Sequence, residues 1–184
     1  MQNLTDVVSR IMPQPSMEVN GVNFPIPISC HLSTVYWLFQ CAYYRKPSGD
    51  DLARVYDNNP SGFVTHIMRK GTPFTRRSGN LTPNSVLIFE KNGTAQHSCI
   101  AMSGTRIAGY NQTGWFSSTG VSHQYSEHAV GDIRWQTLSN TQVNILNGRG
   151  YTLVQVDGEV AANELREHHA LTDKVRVKGV QYVT

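Results

Sequence analysis

The chain has 184 residues, 39% hydrophobic and 16% charged, with 15 glycines and a formal net charge of +3. That length suits one domain with a real core, and the composition excludes a disordered chain and argues for a turn-rich fold over a helical bundle. The charge is mild and its basic residues are scattered, apart from Arg69-Lys70 and Arg76-Arg77, so no nucleic-acid footprint is expected.

In chain order, Leu4, Val7, Val8 and Ile11 fall on one side of a short helix over 4–12, which Pro13 and Pro15 end. Val19 to Phe24 carries the turn pair Asn20-Gly21 and leads into Pro25-Ile26-Pro27, an extended approach to Ser29-Cys30-His31. Ser29 is placed as an N-cap, and residues 30–44 are apolar nearly all round, the pattern of a central buried helix. Ser48 starts a second helix to about Tyr56, and Pro60-Ser61 a third that ends at Gly71. Thr72 to Asn80 reads as an exposed loop.

At Leu81 the period changes to that of strands: 85–89, 97–102 and 106–111. Gln112 to Ser126, rich in Gly, Ser and Thr, reads as a surface loop holding Trp115 and Phe116, either core plugs or a substrate wall. A short strand over 132–135, a hairpin over 143–156 turning at Asn147-Gly148-Arg149-Gly150, a helix over 161–170 and a strand over 175–183 complete the chain. The layout predicts an α+β fold in one domain, residues 1–184, with a helical part over about 1–71 and an antiparallel sheet over about 81–184.

Three cysteines, Cys30, Cys41 and Cys99, close no disulfide framework and match no zinc spacing. On one helix, Cys30 and Cys41 lie roughly 16 Å apart at ~1.5 Å per residue, too far to bridge. The residues from Met1 to Asp6 carry neither a basic nor an apolar signal region, and no apolar run approaches the ~20 residues of a membrane span. The expectation is a protein made in the cytoplasm, exported only by a route that needs no cleaved signal.

Cys30 is the candidate nucleophile. A thiol in the first turn of a helix meets free N–H groups and the positive end of the helix dipole, both of which favour thiolate. Such a nucleophile needs a base, and the base needs an orienting group. His97, read as opening its strand at the sheet edge, faces the start of the long helix. Asn111, Gln112 or Asp132 is the orienting residue, and the Cys30 N–H is one oxyanion donor. His31 is the rival base. Cys41 and Cys99 read as core, with Cys99 on the face of His97. His123 and His128 solvate the glycine-rich loop, and His168-His169 read as surface. His123, His128 and Asp132 match no metal-ligand pattern, so neither metal nor cofactor is expected.

This order of residues resembles the papain-like cysteine enzyme superfamily, in its compact bacterial branches: the NlpC/P60 peptidases and the papain-like effector toxins. The likeness is carried by Ser29-Cys30-His31 at a helix start, the strand over 81–89, Gln96-His97-Ser98-Cys99-Ile100-Ala101-Met102 and Ile107-Ala108-Gly109-Tyr110-Asn111, and it covers residues 25 to about 115. Where NlpC/P60 enzymes carry Asp-Cys-Ser-Gly and Gly-Asp, this chain has Ser29-Cys30-His31-Leu32 and Asn84-Ser85, which favours the effector branch. The resemblance implies a cysteine hydrolase that works through a thioester: a secreted toxin that deamidates or cleaves a target protein, or a peptidoglycan amidase. Its partners would be a protein or peptidoglycan-peptide substrate and an immunity protein or secretion-system carrier. The alternative is a non-enzymatic interaction domain with Cys30 in its core.

Overall fold

The run Val86-Leu87-Ile88-Phe89 lacks polar alternation, the pattern of a strand covered on both faces. It lies within β4 (Ser85–Lys91), whose residues 85–89 are all buried. The structure is a computed structural model that describes residues 1–10, 16–19, 22–25, 29–48, 51, 60–75, 79–121, 129–130 and 133–168. Around β4 the sheet is antiparallel, in the order β3 (Thr72–Phe74), β9 (Thr152–Asp157), β4, β5 (Thr94–Ala101), β6 (Arg106–Tyr110) and β8 (Ile133–Thr137), with the two-residue β7 (Ala129–Val130) at the outer edge. A separate antiparallel pair, β1 (Ser16–Val19) and β2 (Val22–Pro25), precedes the long helix.

Helices α1 (Leu4–Arg10), α2 (Cys30–Tyr43), α3 (Pro60–Met68) and α6 (158–168) share one core with Val86, Ile88, Ile100, Val154 and Val156. On the other face, α4 (Gln112–Ser118) and α5 (Asn140–Gly148) bring Phe116, Val143 and Leu146 against Leu87, Phe89, Ile107 and Leu153. The fold is α+β, with the N-terminal helices on an antiparallel sheet. The two helices on the far face make it three layers rather than two.

α2 is the central helix the sequence predicts. Ser29 Oγ accepts the Leu32 N–H at 3.2 Å, and every residue from His31 to Ala42 is buried. It ends where Tyr44 turns left-handed at φ 58° and its N–H caps Gln40. The Arg166 guanidinium of α6 holds the Ala42 carbonyl, one of the orphans left by that end. Ser48 caps as expected: its N–H and hydroxyl meet Asp51 Oδ2 at 2.7 and 2.8 Å, and Arg45 closes on the same oxygen at 2.6 Å. The rest of that helix, the Pro27 approach and the strand over 175–183 lie outside the described residues.

Three readings are corrected. Thr72–Phe74 is an edge strand on β9, not a loop, and Pro73 fits there because an edge strand can do without one N–H. Gln112–Ser118 is a helix, not a surface loop, and Phe116 is fully buried on it. Residues 140–148 form α5, not a hairpin strand: Ser139 and Gln142 make a reciprocal capping box, and the glycine-rich stretch that follows ends the helix before β9.

Candidate active site

The site forms where β5 and β6 part. Their pairing holds at Ile100↔Ala108 and Ala101↔Ile107 and goes no further toward His97. On the other side of β5 a bulge intervenes, since Phe89 pairs with His97 but Glu90 with Ala95, leaving Gln96 over. The extra residue resets the alternation of the strand. Ala95 therefore joins the core beneath α2, while His97 turns to the opposite face, against Phe89 and Trp115.

This corrects the expected placement of His97. It is the fourth residue of β5 rather than its first, and it is 0% exposed. The side chain that faces α2 is Ser98, whose hydroxyl lies 2.9 Å from His31 Nδ1, 3.0 Å from Thr34 Oγ1 and 3.3 Å from the Cys30 carbonyl oxygen. The backbone N–H groups of Ser98, His31 and Cys30 act on the Cys30 thiol, each pulling its pKa down. The thiol thus sits against the backbone of β5, one residue along from His97.

Gln112 is the amide that reaches the histidine. Its Oε1 is 2.8 Å from His97 Nε2. It folds back over Gly109, where a Cβ would come within 2.8 Å of both Gln112 Nε2 and Cys99 Cβ, so the missing side chain is what makes room. Asn111 is exposed and left-handed at φ 55°, and it turns the chain from β6 into α4 so that Gln112 points inward. Asn111 is therefore a backbone hinge, not the partner of the ring. Asp132, His123 and His128 lie outside the described residues.

Because a carbonyl oxygen only accepts, Gln112 Oε1 fixes the proton on His97 Nε2 and leaves Nδ1 as the lone pair. Nδ1 is buried and has no hydrogen-bond partner among the described residues. Trp115 stacks on the ring at 4.7 Å and 11°. Burial pulls the His97 pKa down to about 3, against a partial pull upward from Gln112, so the ring is neutral at pH 7. Gln112→Ala would strand the Nε2–H in the core. The expected loss is about 1–3 kcal/mol, read as a lower urea midpoint at constant m-value; an unchanged midpoint would show that the bond contributes nothing.

Cys30 is half-buried, and burial raises its pKa more than the three N–H groups lower it. The thiolate expected from the helix start alone is thus not the resting form. His31 is buried, with its ring committed to β5, and its pKa is lowered to about 4. Cys41 and Cys99 are core, at 1% and 0% exposure. His168 is half-buried beside Phe63 rather than a plain surface residue, and His169 is not described. The pairing of Ser98 with His31 and the cover of Trp115 went unread in the sequence. Strand alternation puts Ser98 and His97 on opposite faces and offered a signal for the first; nothing local marked the second.

Among the described residues no His, Cys, Asp and Glu group of three or more is placed to hold a metal ion, and no helix is long and apolar enough to cross a membrane. Comparison with protein-family models, curated proteins and solved structures finds no match.

Proposed function

We propose that the protein is a cysteine-dependent amide hydrolase, with Cys30 as nucleophile, His97 as base and then acid, and Gln112 as the residue that orients the ring. One observation carries this reading: the buried imidazole is clamped at Nε2 with Nδ1 left bare, one residue from the N–H that meets the thiol. A neutral ring and a protonated thiol suit general-base attack rather than a standing ion pair. Nδ1 takes the thiol proton as the sulfur bonds to the carbonyl carbon. The tetrahedral oxyanion collapses, and His97 returns the proton to the departing amine or ammonia. Water, deprotonated by the same nitrogen, then attacks the thioester and frees the acid and the thiol. The resemblance to papain-like effector toxins makes protein glutamine side chains and peptidoglycan peptides the first substrates to try.

A second reading, an interaction domain with Cys30 as packing, is favoured by the complete burial of His97. Iodoacetamide labelling of Cys30 separates the two. The hydrolase reading expects His97→Gln, checked for native fold, to slow labelling at pH 7 by about tenfold or more. Equal rates in both proteins would overturn it and leave the interaction domain.

A further inference from the structure

We propose that His31 is a positioning residue for the Cys30 thiol: its imidazole pins β5 to the first turn of α2, so that the Ser98 N–H stays directed at the sulfur. The inference rests on the reading of Cys30 as the nucleophile.

His31, in the first turn of α2, is only 8% exposed. Its ring spans the bulge of β5. Nδ1 is 2.9 Å from Ser98 Oγ, and the Ala95 carbonyl, on the other side of Gln96, also faces the ring. A bulged strand has an unpaired residue and fewer ladder bonds to fix its backbone. Here a side chain from α2 supplies the missing restraint. Ser98 Oγ continues the link to Thr34 Oγ1 at 3.0 Å, and Ser33 and Thr34 hydroxyls donate to the Cys30 carbonyl at 2.9 and 3.1 Å. Ring, hydroxyls and helix turn therefore form one connected unit around the residue that bears the thiol. The N–H of Ser98 belongs to that unit, and hydrogen bonds weaken steeply with misalignment. Holding the N–H in line favours the sulfur as it becomes negative during attack. His31 does this as a neutral hydrogen-bonding ring. Cys99 on β5 feels the charge of the Cys30 thiol, and His97 feels that of His31.

The test is the pH profile of Cys30 alkylation by iodoacetamide in the full chain, for wild type, His31→Ala, His31→Asn and Ser98→Ala. His31→Ala and Ser98→Ala are each expected to move the profile up by about one pH unit, roughly tenfold slower labelling at a fixed pH below it. The double variant is expected to do no more than either single one. His31→Asn places an amide where Nδ1 lies and is expected to restore most of the rate. A folded His31→Ala protein with the wild-type profile overturns the proposal. If His31→Ala does not fold, an unshifted Ser98→Ala profile overturns it equally. A shift in these variants with no effect of His97→Gln would keep the positioning role and remove the base, so the two inferences fail separately.

Discussion

Stability is expected to fall steeply as the pH drops from 6.5 toward 4. Two rings drive this. His97 and His31 are buried and neutral, with pKa values lowered to about 3 and about 4 from 6.5. The unfolded chain protonates both near pH 6.5, and the folded chain protonates neither until well below pH 5. Between those limits unfolding takes up close to two protons, so stability is lost at about 2.7 kcal/mol per pH unit. The loss is on the order of 6 kcal/mol by pH 4, comparable with the whole stability of a small domain. Above pH 6.5 this contribution is fully present. Asp51 acts lower down: burial raises its carboxyl, but Arg45 and Ser48 outweigh that and hold it at about 2, so its share is lost only as the pH falls below about 4. Urea unfolding at pH 7, 6 and 5 checks the slope, and His97→Gln and His31→Asn should each flatten it. A midpoint that stays level from pH 7 to pH 5 would mean that the folded state already accepts those protons.

Replacing Trp115 by alanine should unfold the site from the other side. The indole stacks on His97 and touches Phe89, Phe116 and Tyr151 with centroids 4.6, 5.0 and 5.6 Å away, so its loss opens a large cavity above the imidazole. The expected cost is about 3–5 kcal/mol. Water entering the cavity removes much of the burial that holds the His97 pKa at about 3, so the pKa should climb toward 6.5. NMR titration of the His97 ring protons measures this, and Trp115→Phe should keep most of both stability and shift. A folded Trp115→Ala protein whose His97 still titrates below pH 4 would show that some other wall keeps the ring dry.

The sequence was most informative where one local rule decided the outcome. Ser29 before an all-round apolar stretch marked α2, and the continuous Val86-Leu87-Ile88-Phe89 run marked a strand. His97 and Gln112 were both among the candidates, and the Gln112 amide does reach the ring. Where two signals competed, the reading failed. Gly148 and Gly150 look like a hairpin turn, yet the Ser139–Gln142 capping box had already committed residues 140–148 to a helix. The Gly, Ser and Thr of residues 112–118 have low helix propensity, and burial of Phe116 overrides it. The face of His97 could not be read at all, because it depends on one unpaired residue, Gln96, that leaves no mark on composition. The choice between Asn111 and Gln112 was likewise settled by a left-handed φ at one and a missing Cβ at Gly109.

The pairing of β4 with β9 bears on how the molecule is made. β4 is an inner strand of the sheet, and one of its two neighbours arrives more than sixty residues later. Asn84, just ahead of it, uses its side chain to receive the Leu4 N–H and its carbonyl to receive the Gly158 N–H, so one residue ties the first helix to the last described one. A ribosome that has released only the first 150 residues has therefore delivered both candidate catalytic side chains but not the strand that covers β4. Until β9 emerges, the edge of β4 and the apolar surface of α2 stay open to other chains. With this order of synthesis, the sheet that carries Ser98 and His97 gains its β9 neighbour on the β4 side only after the candidate site residues have been made.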